Sequence, residues 1–184
     1  LQLQIFTHAN HNLICIHLEG AHAKDAQLNV SWEHLEKGTR EALRKWGYPD
    51  PESCSDEDGG EFHLKSPTGY ELAVAWQRRL NEEGTSSEIR VALLSTEDSS
   101  QPLEDAKKLC RSFEDDDKGL EPHRSWWHDY WTRSTLTIPD ARLESLYFIE
   151  MYKLGCSSRP GKWPITLQGL WTHDGRMPPW NGDY

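Results

Sequence analysis

No stretch of about 18 consecutive apolar residues occurs in this 184-residue chain, so the sequence has no candidate helix for crossing a bilayer. Nor does it open with a basic segment followed by an apolar one, the pattern of a secretory signal; Leu1, Leu3, Ile5 and Phe6 alternate with polar residues in the manner of a strand. Positive charge is scarce, with 20 Lys and Arg against 30 Asp and Glu and a net charge of −10. That balance disfavours nucleic acid and anionic membrane surfaces as partners, because both are held by clustered Lys and Arg. The four cysteines, Cys15, Cys54, Cys110 and Cys156, are scattered without a CxxC pair, so they indicate neither a zinc site nor a disulfide framework, and they leave the compartment open. Ser157 and Ser158 follow Gly155 without a GxSxG elbow, which leaves a serine hydrolase unsupported. With 36% hydrophobic and 27% charged residues, the composition is that of a soluble globular chain.

Period-two alternation marks LQLQIF, NLICIHL and AQLNVSWE in the first third, then EFHLK, YELAVAWQ and SEIRVALLST further on, the last two joined by the turn NEEGTSS. About six short strands separated by turns predict a β-sandwich, or part of one, over residues 1–100. Between them, Glu33 to Arg44 reads as a short helix, and PDPESCSDEDGG at 49–60 reads as a solvated acidic loop without an apolar anchor.

At Gln101 the period changes. PLEDAKKLCRSF places Leu103, Ala106, Leu109, Cys110 and Phe113 at helical spacing, and the acidic run EDDDKG at 114–119 then reads as a linker. Residues 101–119 are accordingly a helical and acidic connection, and a second domain is expected from 120 to 184. Two helices are expected in that domain. One carries Trp127, Tyr130 and Trp131 on a single face, and the other starts at Pro139 and Asp140, runs through ARLESLYFIEMYKL and stops at Gly155.

Six of the nine tryptophans follow residue 120. Those at 126, 127 and 131 sit at helical spacing and read as core; Trp171 and Trp180 sit among Gly, Pro, His and Asp in a loop stiffened by Pro160, Pro164, Pro178 and Pro179, a setting that suits the flat face of a sugar as well as it suits burial. His173 and Asp174 supply two adjacent ligand types where a metal needs three or four converging ones, so no metal is assigned. The N-terminal histidines His8, His11, His17 and His22 have no ligand spacing and read as surface or satisfied polar residues.

Three segments together carry a family resemblance: WWHDYWTRSTL, LESLYFIEMYKLGCSSRPG, and WPITLQGLWTHDGRMPPWNGDY with its LQGxW and PPWxxxY elements. Residues 120–184 resemble the start of the catalytic domain of the six-hairpin glycosidases, most closely glycoside hydrolase family 95, whose members include α-L-fucosidases and α-L-galactosidases. Thr166 stands where many members have Asn before LQG, and Thr172, His173 and Asp174 follow Trp171 where members often continue with Asn or Asp.

The resemblance implies an α+β chain in which part of an N-terminal β-sandwich precedes helices that begin an (α/α)₆ barrel. It implies an inverting hydrolysis of terminal glycosidic bonds in oligosaccharides or glycosides, and it calls for no cofactor. A general acid and a general base are expected beyond Tyr184, so the 184 residues are expected to be a fragment. Within them, Gln168, Trp171, Trp180 and Asp183 are the expected substrate-binding residues. The alternative is a module without catalysis, either carbohydrate-binding through an aromatic platform or purely structural.

Overall fold

The computed structural model describes residues 1–26, 37–112 and 116–161. Among these residues the fold is α+β, an antiparallel six-stranded sheet with four α-helices. The chain divides into two compact units, Leu1–Trp126 and Trp127–Tyr184.

The first unit is built on the strands β1 (Gln2–Thr7), β2 (Leu13–Glu19), β3 (Glu52–Ser55), β4 (Gly59–Lys65), β5 (Glu71–Leu80) and β6 (Ser86–Ser95). Their spatial order is β1-β2-β6-β5-β4-β3. A hairpin and a four-strand meander are therefore joined edge to edge by the long-range pair β2 and β6, in which Leu13 lies opposite Ala92 and Ile16 opposite Ile89. Five of these strands coincide with period-two runs. AQLNVSWE lies, from Gln27 onward, outside the described residues, and the sixth strand comes from a stretch read as a loop.

That stretch is β3, and it corrects the solvated-loop reading of 49–60. Glu52, Ser53, Cys54 and Ser55 are all exposed and carry no alternating signal, but they pair with His63, Phe62, Glu61 and Gly60 of β4. The acidic turn closes the hairpin through its own side chain, since Asp56 Oδ1 accepts from the N–H groups of Asp58 at 2.9 Å and Gly59 at 2.8 Å. An edge strand held by backbone pairing needs no apolar face of its own.

Side chains alternate across a strand, so the register sorts the sheet into two faces. On one face Leu13, Cys15, Ala75, Ala92 and Leu94 meet helix α2 (Pro102–Arg111) through Ala106 and Cys110. The helix read as a connection is thus packed on the sheet and completes its core. The opposite face carries Leu18, Trp76 and Ile89 in a second buried cluster with Ala23, flanked by Ile16 and Val91. This face continues outward through Leu3, Ile5, Ile14 and Leu93, which stay exposed. Trp76 lies across Gly60: a Cβ there would run into the indole Nε1 and come within 2.8 Å of Ser55 Cβ, so only glycine admits the ring. Helix α1 (Lys37–Lys45) begins inside the helix expected from Glu33 to Arg44 and runs one residue past it, the part before Lys37 being outside the described residues; Arg44 forms a two-pronged bridge to Asp50 at 2.9 and 2.7 Å.

Helix α3 (Leu120–Thr132) has Pro122 in its first turn, where the missing N–H costs nothing, and the division between the two units falls within this helix. Helix α4 (Ala141–Ser157) is capped by Asp140, whose Oδ1 accepts from the N–H groups of Arg142 at 2.9 Å and Leu143 at 3.2 Å. Gly155 does not end this helix, contrary to the expectation from its residue type. Its backbone is not left-handed, and the helix runs on to Ser157. The residue is small for another reason: a Cβ there would stand 3.0 Å from the rings of Trp127 and Tyr130.

Candidate functional site

All four expected substrate-binding residues, Gln168, Trp171, Trp180 and Asp183, lie outside the described residues, as do His173 and Asp174. Two described features bear on chemistry, one in each unit.

In the second unit, three aromatics of α3 meet α4 in antiparallel order. Trp127 stacks on Tyr152 with ring centroids 5.2 Å apart, Trp131 packs against Phe148 at 5.8 Å, and the Tyr130 hydroxyl donates to the Met151 carbonyl at 2.6 Å. Within α3, Trp127 also stacks on Trp131 at 6.0 Å and meets Tyr130 edge-on at 5.4 Å. The helical spacing of 127, 130 and 131 explains why they form one patch. Their rings are half-buried against one another and against α4 and act as packing, but no residue of α3 is fully buried, so the core reading of Trp126, Trp127 and Trp131 is not met in full. The connecting turn is tied down by Glu144 Oε2, which accepts from the Ile138 N–H at 2.9 Å, and by a 2.5 Å hydrogen bond between the Ser134 and Tyr147 hydroxyls.

In the first unit, a cleft of about 330 Å³ opens between α2 and the β3–β4 hairpin. Its walls are polar and mutually engaged. Lys107 Nζ reaches Glu61 at 2.6 Å and Glu104 at 3.3 Å, and Arg111 Nε donates to Gln77 Oε1 at 3.2 Å. The hydrogen bond to Glu61 raises the Lys107 ammonium above its ordinary pKa. At the cleft floor, burial pushes the Cys110 thiol up to about 11, so it is an inert apolar contact at neutral pH. The cleft combines a helix with a hairpin whose first strand and turn, residues 49–60, read as a loop along the chain. The spacing of Lys107 from Glu104 was visible in the sequence, but the contact with Glu61 across β4 was not.

Among the described residues, no group of three or more His, Cys, Asp or Glu side chains is arranged to hold a metal ion. No helix among them is long and apolar enough to cross a membrane. Comparison of the chain with protein-family models and with curated proteins finds no match. The functional reading therefore rests on the residues themselves.

Proposed function

We propose that this chain is part of a glycoside hydrolase resembling the inverting α-L-fucosidases of glycoside hydrolase family 95. In this reading the first unit supplies part of a β-sandwich and α3 and α4 are the opening helical pair of an (α/α)₆ barrel. The segment WPITLQGLWTHDGRMPPWNGDY, which joins LQGxW to PPWxxxY, carries the proposal. Two features of the fold support it. The sheet has a second apolar face on which Leu3, Ile5 and Leu93 remain 57%, 58% and 48% exposed, as suits a sheet that another sheet covers. The antiparallel pairing of α3 with α4 is the geometry of a helical hairpin.

The proposed chemistry needs two carboxyl groups about 6.5–9.5 Å apart, one donating a proton to the leaving oxygen and the other activating a water on the opposite face of the sugar. Gln168, Trp171, Trp180 and Asp183 are assigned to substrate binding and to neither of those roles. Trp171 and Trp180 offer apolar faces to the sugar ring, and Gln168 and Asp183 offer hydrogen bonds to its hydroxyls.

Nitrophenol release from aryl α-L-fucoside and α-L-galactoside tests the proposal. A longer polypeptide that contains this chain is expected to be active and the 184 residues alone inactive. Activity of the 184 residues alone would overturn the assignment of acid and base outside them. Inactivity of both, with no change in tryptophan fluorescence on adding L-fucose or L-galactose, would replace the proposal with the structural-module reading. If both are inactive but a sugar changes the fluorescence, and Trp171→Ala or Trp180→Ala removes that change, the carbohydrate-binding alternative takes its place.

A further inference from the structure

His8 is 3% exposed, in the turn that joins β1 to β2. Its Nδ1 accepts the N–H of Asn10 at 3.1 Å, which puts the ring proton on Nε2, and Nε2 lies 3.2 Å from the carbonyl oxygen of Gly119. A neutral imidazole thus bridges two backbone segments 111 residues apart. Two nearby carbonyls are also engaged, one at the end of α2 and one beside Gly119. Arg90 donates to the Ser112 carbonyl at 2.5 Å, and the Cys15 thiol makes a weak 3.9 Å contact with the Lys118 carbonyl.

The surroundings of His8 oppose a positive charge. His11 of its own turn lies 4.8 Å away between ring centroids, and His123 of α3 lies 6.2 Å away. Arg90 of β6 adds a permanent cation. The nearby carboxylate on β6, Glu88, is engaged by Arg90 at 2.8 Å and lies 4.0 Å from His17 of β2. Asp117 and Lys118, just before Gly119, bring one charge of each sign. Phe6 closes the cluster, with its ring 4.8 Å from His123 and stacked on His17 at 5.8 Å. Burial first, then the charges on His11, His123 and Arg90, lower the His8 pKa; only the bond to Gly119 raises it.

We propose that His8, packed with His11 and His123 over the carbonyl of Gly119, is an acid-operated clasp that releases the Lys118–His123 stretch from the β1–β2 turn when its Nδ1 takes up a proton. The proton ends the acceptance from Asn10 and places a cation on a buried ring beside Arg90 and two half-buried histidines. The sign follows from the direction of the shift. A histidine held below its ordinary value of about 6.5 stabilises the closed form fully above that pH, and this contribution is lost as pH falls toward the lowered value, because the open form binds a proton that the closed form refuses.

Amide hydrogen exchange on the whole chain, corrected for intrinsic rates and followed from about pH 7 to about pH 5, reads the clasp directly. The amides of His123 to Trp126, the first hydrogen-bonded turn of α3, are expected to lose protection over that range while the amides of β5 and β6 keep theirs. His8→Gln retains a donor for the Gly119 carbonyl and cannot titrate, so its His123–Trp126 amides should show no such step. His11→Gln removes a like-charged neighbour, so the step should move to higher pH. An unchanged step in His8→Gln, or no step in the unaltered chain, overturns the proposal. If His8→Gln loses its sheet by circular dichroism at neutral pH, imidazole NMR of the unaltered chain decides: the His8 ring and the Gly119 amide titrating together support the clasp, and titrating apart they sink it.

Discussion

The two units bury their apolar residues in different ways. In the sheet unit, Leu13, Cys15, Ala75, Ala92, Ala106 and Cys110 are all 2% exposed or less, and they come from three strands and a helix far apart in the chain. Among the described residues of the helical unit, only Gly155 is buried, while Leu143, Leu146, Ile149, Tyr152 and Leu154 of α4 are each more than half exposed. Small residues on a sheet let a helix approach closely and close a core. Large aromatics on two helices cover one another but leave the outer faces of those helices open. The sheet unit is therefore expected to be the more stable, and its unfolding should be governed by a few buried polar groups.

Arg90→Leu tests that expectation with the largest effect. Arg90 is 2% exposed and serves both Glu88 and the Ser112 carbonyl, so its loss leaves two acceptors without their donor. Because Glu88 is partly solvated, the expected cost is about 2–3 kcal/mol, read as a lower urea midpoint. Exchange protection should fall in β2 and β6, with α4 unchanged. Equal loss in both units would break the comparison.

Gly155→Ala probes the helical unit. Helix propensity alone would give a gain of about 1 kcal/mol. The added Cβ meets two rings at 3.0 Å, so the contact should win and the net change should be a loss of about 1–3 kcal/mol, seen in the near-ultraviolet circular dichroism of the aromatics. A stabilised variant would show that the aromatic patch yields freely. Asp140→Ala removes the cap of α4 and is expected to cost about 1 kcal/mol, again with no change in the protection of the sheet. The smallest perturbation is chemical. With a thiol reagent at about pH 8, exposed Cys54 and Cys156 should react promptly, whereas Cys15 and Cys110, both buried and pushed up to about 11, should react only on unfolding. Prompt labelling of Cys110 would show that α2 lifts from the sheet.

The parts of this fold that a reader can find along the chain are those whose signal is local. Strands β1, β2, β4, β5 and β6 announce themselves by alternation, α2 by its 3.6-residue period, and the start of α4 by Pro139 and Asp140. Strand β3 does not, because ESCS is a strand only by virtue of what pairs with it. Gly155 misleads for the same reason, since its residue type says helix end while the rings of Trp127 and Tyr130 say close approach. The candidate sugar-binding residues Gln168, Trp171, Trp180 and Asp183 lie outside the described part of the chain, so they rest on their motif alone.

By itself, the sequence determined an α+β chain with a strand-rich first part, a helical and aromatic second part, and no candidate for a membrane-crossing helix. Only the tertiary structure decided that β2 lies beside β6, that α2 belongs to the core of the sheet, that Lys107 faces Glu61, and that His8 holds the carbonyl of Gly119. Periodicity encodes which face of an element is apolar, and it is read over a few residues. Which faces meet depends on contacts between residues tens to a hundred positions apart, and no local pattern carries that information.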